Sequence, residues 1–248
     1  MTTGAARSNR EIHNRLWREL GPFIRYNPGA RHRRRILFQL VDELPKRSVL
    51  DIGCGNGELL QMMRARYPEI ERATGADLSE AVIEQNRRAH PELGFEVLDI
   101  ERTALPLQAE LVTCSEVIEH LDTRTTAFAH LAQMVAPGGS LVVTCPTGKV
   151  FATEKHFGHT THPSMAELET LGRGAGLELG RVINWGFPVY RLTKWLTNLN
   201  PELALRKFAV ERYGRAQILV SDALYLANFL NAPSSSHGCQ LFALYRKA

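Results

Sequence analysis

From Ser48 onward the chain alternates short β-rich runs with helical stretches, and that rhythm constrains the fold more than any other feature. "SVLDI" reads as a first strand with the helix "ELLQMMRARY" behind it, and "RATGAD" as a second followed by "SEAVIEQNRRAH", with Ser79 as N-cap. "GFEVLDI" and "AELVTCS" supply strands three and four, "RTTAFAHLAQMV" the next helix, and "GGSLVVTC" strand five after the turn "APGG". A helix over "SMAELETLGRGAG", a strand over "LELGRVINWG" and a closing strand over "CQLFALYR" complete the series. Strands separated by helices pair in parallel through βαβ units, so an α/β sheet with helices on both faces is predicted. Ligands of such sheets bind beyond the carboxyl ends of the strands.

Two segments fall outside the rhythm. One is a helical N-terminal arm, roughly Asn9 to Leu44; the other runs from Phe187 to Ser236. In the latter Val189, Leu192, Trp195, Leu196 and Leu199 recur at helical spacing, which predicts a helical cap packed over the ligand edge of the sheet. An interfacial membrane helix is the alternative, because Arg191 and Lys194 interleave with aromatics. The organisation read from the sequence is an arm over 1–47, a core over 48–186, a cap over 187–236 and a last core strand over 237–248. With 44% hydrophobic and 23% charged residues in 248, the chain has the apolar material for one packed domain with additions.

Charge is uneven. The net value is +4, yet residues 1–47 carry eleven Lys/Arg against four Asp/Glu, so the remainder is mildly acidic. The run "RHRRR" at Arg31 to Arg35 is either a solvated helix face or a site for an anionic partner. No stretch nears the roughly 18 apolar residues of a membrane span, and "MTTGAARSNR" lacks the apolar segment of a secretory signal. Cys54, Cys114, Cys145 and Cys239 form no C-x-x-C pair, which argues against a zinc knuckle or a disulfide framework and predicts a reducing cytosol.

The chemistry concentrates in "VLDIGCGNG". Gly53, Gly55 and Gly57 sit at the carboxyl end of strand one, where bare backbone permits a tight bend and close approach of a ligand. The dinucleotide fingerprint G-x-G-x-x-G is absent, since its third glycine would fall on Glu58. Asp51, just before the bend, would repel a pyrophosphate but accept hydrogen bonds from an ammonium. Asp77 ends strand two, where a carboxylate takes both hydroxyls of a ribose, and Asp99 follows strand three beside the apolar Ile100, placed for an adenine amino group. Amine, ribose and adenine in that order describe S-adenosylmethionine.

"LDIGCGNG", "GADLS", "LDIE", "SEVIEHL" and "MVAPGGSLVVTCP" resemble, in order and spacing over Ser48 to Pro146, the motifs of class I S-adenosylmethionine-dependent methyltransferases. The resemblance implies a Rossmann-like seven-stranded sheet of order 3-2-1-4-5-7-6 with the last strand antiparallel. It also implies that Asp51, Gly53 and Gly55 meet the methionyl part, Asp77 and Leu78 the ribose, Asp99 and Ile100 the adenine, and Ser115 and Glu116 the edge near the sulfonium. "RYNPGARHRRRIL" looks like the arm of ubiquinone-pathway O-methyltransferases, in which an arginine reaches the carboxylate of the methyl donor. Arg31 is the candidate, with Arg25 the alternative because the spacing from Asn27-Pro28 departs by one residue.

"SEVIEHL" sets Glu116, Glu119 and His120 at i, i+3 and i+4, and on the first turn of a helix all three would face one way, as a hard divalent ion requires. Ubiquinone-pathway O-methyltransferases and small-RNA terminal 2'-O-methyltransferases carry a similar E-x-x-E-H, the latter with a distant histidine. Here "HFGHTTH" offers His156, His159 and His162, of which His159 is first choice. The metal set read from the sequence is therefore Glu116, Glu119, His120 and His159, for Mg²⁺ or Mn²⁺. The alternatives are His120 as a general base without metal and a purely structural turn.

Three functions follow. The first is methylation of a hydroxyl on a small or mid-sized organic acceptor, such as a phenol, a sugar or a natural-product intermediate, within an enclosure supplied by Trp185, Phe187, Tyr190 and Trp195. The second is terminal 2'-O-methylation of RNA, favoured by the basic arm but lacking an aromatic-rich RNA-binding module. The third is a scaffold that binds the methyl donor without catalysis, against which Asp51, Asp77, Glu119 and His120 argue.

Overall fold

The computed structural model describes residues 25–208, 210 and 212–248. Seven strands form one sheet: β1 Ser48–Ile52, β2 Arg72–Asp77, β3 Gly94–Val97, β4 Ala109–Ser115, β5 Val135–Pro146, β6 Leu177–Trp185 and β7 Gln240–Lys247. Their order is β3-β2-β1-β4-β5-β7-β6, as the motif resemblance implies. β7 runs antiparallel to both β5 and β6, and the other pairs are parallel. All five residues of β1 are buried, as expected of a central strand covered on both faces. Alternation divides the core: Leu50, Ile52, Val112 and Leu141 belong to one apolar cluster, and Val49, Leu111, Val142 and Phe242 to the other.

Helices α1 Pro28–Val41, α2 Glu58–Arg66, α3 Glu80–Ala89, α4 Arg124–Met134, α5 Ala152–His156 and α6 Met165–Gly174 come between or before the strands. α1 starts where Asn27 caps the Ala30 amide and Pro28 takes the first turn. The part of the predicted arm before residue 25 lies outside the described residues, as does the "MTTGAARSNR" segment. Ser79 caps α3 by accepting from the Val82 amide. β3 stops at Val97, three residues short of prediction, because Asp99 turns the chain by accepting from the Arg102 and Thr103 amides. The predicted turn "APGG" is instead an irregularity within β5, whose pairing with β4 jumps from Ala109↔Val135 to Leu111↔Ser140.

The cap comprises α7 Val189–Thr197, α8 Pro201–Phe208 and α9 Arg215–Ala227, followed by a 3₁₀ turn at Asn228–Leu230. It is helical, but the apolar stripe is turned the other way from expectation. Leu192, Trp195, Leu196 and Leu199 are each more than half exposed, while Tyr190, Thr193, Lys194 and Thr197 face a cavity beneath. The polar face points inward because it finds partners there: Lys194 pairs with Glu154 at 2.5 Å, and the Asn198 side chain meets Thr153. That orientation also removes Lys194 from any surface belt, and Arg191 donates to the His237 carbonyl. Among the described residues no helix is long and apolar enough to cross a membrane.

α6 packs on β7 through a glycine. A Cβ at Gly172 would overlap the Tyr245 ring, whose hydroxyl donates to the Leu168 carbonyl at 2.9 Å. Glycine to alanine within a helix ordinarily gains about 1 kcal/mol, but overpacking here costs about 1–3 kcal/mol. Gly172→Ala is therefore expected to lower the melting temperature in a thermal scan, and a rise would refute this packing.

Candidate functional site

The parallel strands β1, β2 and β4 end along one edge, where a cavity of about 280 Å³ opens. Asp51 is almost wholly buried, and its Oδ1 accepts from the Thr113 hydroxyl at 2.6 Å, the residue opposite it on β4. Burial pushes the Asp51 carboxyl up to about 7, with nearby Asp77 adding to the effect and the Thr113 hydrogen bond opposing it. The bend after β1 is stitched to β2, since the amides of Gly53 and Cys54 both donate to the Ala76 carbonyl. Gly53 has φ +73°, and a Cβ there would run into Val117. Cys54 is buried against Gly75 of β2 and packs rather than reacts.

Asp77 is aimed by backbone donors, Gly55 N at 3.0 Å and Ser79 N at 2.9 Å. Asp51, Gly53, Asp77, Leu78, Asp99, Ile100, Ser115, Glu116 and His120 all line this cavity. Gly55 does not; it acts from behind, orienting Asp77 through its amide and the Asn86 side chain through its carbonyl. Arg31 does not line it either. Its guanidinium pairs with Asp222 at 2.6 Å and lies over the Tyr225 ring, while Arg33 and Arg34 line the cavity instead. Arg25 lies by the Tyr26 ring and is likewise off the lining.

The reason is helical geometry. Arg31 and Arg35, four apart, share a face of α1 directed at Asp222 and Phe229 of the cap. Arg33 and Arg34 look towards the sheet edge, where they meet Glu116 and Glu58. All four arginines of "RHRRR" thus have a partner within the molecule. The presence of basic side chains at the edge was legible in the sequence; which of them turn inward was not.

A helical turn that would set all three residues of "SEVIEHL" on one face does not form across the segment. Glu116 has φ +59°, the left-handed region, the sole non-glycine case among the described residues. A 3₁₀ turn at Ile118–His120 follows. Glu116 consequently diverges from Glu119 and His120. Its Oε1 accepts from Thr144 Oγ1 at 3.0 Å and Gln240 Nε2 at 2.7 Å, and its Oε2 lies 3.5 Å from Arg33. With the Thr144 proton committed to Glu116, the Ser115 hydroxyl donates to Thr144, 2.7 Å away. Burial opposes the Arg33 charge, but Glu116, Tyr190 and Glu119 more than offset it and keep the guanidinium strongly basic.

Ligand atoms of Glu119, His120 and His159 lie within 4.8 Å of one another, and Glu116 is not among them. Glu119 is fully buried, and neither carboxyl oxygen has a hydrogen-bond partner. Burial and the Glu116 charge hold its carboxyl well above the usual range. Burial, together with His120, His162, Lys194 and Arg33, holds the His159 imidazole down to about 2, so the ring is neutral at every physiological pH. An orphaned buried carboxylate beside two imidazoles is the chemistry of a cation site.

A second cavity, of about 330 Å³, lies under the cap and shares Arg33 and Glu116 with the first. Its polar lining includes His159, Glu154, Lys194, Tyr190 and Gln240, and its apolar lining Leu205, Phe208, Tyr213 and Leu224. Of the predicted aromatic enclosure only Tyr190 lines it; Trp185 is buried, stacked on Tyr190, and Phe187 and Trp195 are exposed. Sequence reading did not single out Arg33 within "RHRRR", nor assign Lys194, Glu154 and Gln240 to the site, because these residues are far apart in the chain.

A family model for the methyltransferase domain matches residues 29–195. The chain belongs to the methyltransferase domain family. It is 30% identical over 141 residues to trans-aconitate 2-methyltransferase of Sinorhizobium medicae, covering 57% of this chain and 54% of that one. It is 34% identical over 125 residues to small RNA 2'-O-methyltransferase of Mus musculus, covering 43% and 31%. The chain thus spans about half or less of the length of these curated relatives. Its fold resembles that of N-methyltransferase NodS from Bradyrhizobium japonicum in complex with S-adenosyl-L-homocysteine, with TM-score 0.58, 19% identity and 95% and 98% coverage. It also resembles phosphoethanolamine N-methyltransferase 2 of Haemonchus contortus, with TM-score 0.56, 16% identity and 89% and 53% coverage.

A carboxyl whose folded pKa exceeds its unfolded one binds more protons when folded, so it contributes less stability as pH rises from about 4 to about 7. Asp51→Asn retains an acceptor for Thr113 and removes the charge. Its melting temperature at pH 8 is expected to equal or exceed that of the parent protein; a fall of several degrees would contradict this account of Asp51.

Proposed function

We propose that the protein transfers a methyl group from S-adenosylmethionine to a hydroxyl of a small or mid-sized amphipathic acceptor, held in the cavity under the cap. The observation that carries this reading is the meeting of the two cavities at the Arg33–Glu116 pair, with the Glu119, His120 and His159 cluster beside the junction. Family membership and the carboxylates along the strand ends support the donor: Asp51 for its ammonium, Asp77 and Leu78 for the ribose, Asp99 and Ile100 for the adenine, Ser115 and Glu116 at the sulfonium edge. Arg33 or Arg34 takes the donor's carboxylate in place of Arg31. When bound, S-adenosylmethionine supplies a methyl carbon on a sulfonium, open to in-line attack by oxygen.

What this chain's residues then do is align and deprotonate. Proximity alone is worth up to about 7–11 kcal/mol in favourable systems. Glu116, clamped by Arg33, Thr144 and Gln240, is held fixed at the rim where donor and acceptor meet. Glu119, His120 and His159 suit a divalent ion, which when bound lowers the pKa of a coordinated hydroxyl. Two imidazoles with one carboxylate favour Mn²⁺ over Mg²⁺. Without an ion, His120 is the base.

The acceptor is read from charge balance. Each cation lining the second cavity faces an acid, Arg33 with Glu116 and Lys194 with Glu154. Among the described residues no net positive charge is left over for a polycarboxylate such as trans-aconitate, whereas Leu205, Phe208 and Leu224 suit an apolar body. RNA is the second reading, favoured by the relative from Mus musculus. Labelled S-adenosylmethionine offered with fractionated small-molecule extract and, separately, with short RNA distinguishes them; label entering RNA alone overturns the small-acceptor reading, and label in neither favours a non-catalytic scaffold.

Two variants test the residues. Asp51→Asn is expected to weaken S-adenosylhomocysteine binding at least about 100-fold by calorimetry at pH 8, and unchanged binding sinks the donor assignment. Glu119→Gln, or dialysis against chelator, is expected to cut turnover at least about 100-fold, with Mn²⁺ restoring the dialysed enzyme. Full activity after both treatments disposes of the ion.

A further inference from the structure

Two overlapping groups of side chains stand beside the acceptor cavity: Glu119, His120 and His159, and Glu154, His159 and His162. In each, ligand-type atoms lie within 4.8 Å of one another. His159 belongs to both, yet an imidazole has only two nitrogens. Its Nδ1 lies 3.1 Å from Nε2 of His162, a hydrogen bond between rings. Only Nε2 of His159 is then left as a lone-pair donor to an ion.

The second group is closed upon itself. Oε1 of Glu154 is 2.5 Å from the Lys194 ammonium, whose side chain is only 11% exposed, so a cation among Glu154, His159 and His162 would face a fixed positive charge. Oε2 of Glu154 accepts from the Phe151 amide at 2.8 Å and lies 3.8 Å from His162 Nε2. The Glu119 oxygens of the first group have no such commitments. The loop carrying both histidines is pinned on either side: the His159 amide donates to the Glu154 carbonyl, Thr160 Oγ1 to the Glu119 carbonyl, and Arg124 to the Thr161 carbonyl.

We propose that His162 is a positioning residue that accepts the Nδ1 proton of His159 and thereby fixes the tautomer whose Nε2 lone pair serves a divalent ion at Glu119 and His120. The His162 side chain is fully buried, so its ring is held in place against His159. The opposite sense of the same hydrogen bond would leave a proton on His159 Nε2 and make it useless as a ligand. The inference rests on the reading that Glu119, His120 and His159 hold the ion.

Mn²⁺ titration of the full chain, with free Mn²⁺ followed by electron paramagnetic resonance, tests it without turnover. His162→Phe is expected to bind Mn²⁺ about 10- to 100-fold more weakly than the parent protein. His162→Gln, whose amide oxygen accepts the same proton, is expected to stay within a few-fold. Unchanged S-adenosylhomocysteine binding in both certifies the fold. In parallel, ¹⁵N spectra of histidine-labelled parent protein are expected to show His159 protonated at Nδ1, a readout independent of any variant. If the parent binds Mn²⁺, Glu119→Gln weakens it and His162→Phe does not, the role of His162 falls while the ion stands. His162→Gln as weak as His162→Phe, or a proton found on His159 Nε2, overturns the hydrogen-bond account. A parent protein that binds no Mn²⁺ overturns the ion and this inference together.

Discussion

The pairing of β1 between β2 and β4 is the constraint on which the cavity edge depends. Register sets Asp51 opposite Gly75 on one side and Thr113 on the other, so a carboxylate enters the sheet interior with one hydroxyl to satisfy it. The same pairing ends β1 and β2 side by side, which lets Ala76 hold the glycine bend and Gly55 aim Asp77. The arrangement is costly to the fold. A carboxyl held up at about 7 by burial resists ionisation, so its charged form weakens the fold.

The second determinant is the meeting of α1 with the end of β4. Arg33 reaches Glu116 from a helix that precedes the sheet in sequence, and Glu116 answers from a left-handed backbone that turns it away from Glu119. Such a conformation in a non-glycine residue persists only where the surroundings over-determine it. Thr144 of β5 and Gln240 of β7 complete the clamp. Arg33 and Glu116 thus line both cavities, and the acids of "SEVIEHL" serve two different places: Glu116 the junction, Glu119 the histidine cluster.

Much of this was legible in the sequence. Short β-rich runs between helical stretches marked the strands, because buried parallel strands must be apolar whatever their order. Glycines flanked by Asp51 and Asp77 marked the edge where the cavity opens, because a tight bend and a nearby carboxylate are local properties. The boundaries that failed did so where long-range contacts intervened: β5 absorbed "APGG" by pairing irregularly with β4, and β3 ended early at the Asp99 turn. The apolar stripe of α7 was read correctly as helical and wrongly as inward, because amphipathicity cannot say that the space beneath is a polar cavity.

By itself the sequence determined the α/β class, the edge where the cavity opens and the residue types gathered there, since each follows from local spacing and short-range backbone geometry. Only the tertiary structure decided which arginine of "RHRRR" faces the site, which acid of E-x-x-E-H joins the histidines, and that Lys194 and Glu154 neutralise each other under the cap. One residue along a helix rotates a side chain by about 100°, and partners such as Glu116 and Gln240 lie on strands distant in the chain. Orientation and pairing are therefore properties of packing, which no local pattern encodes.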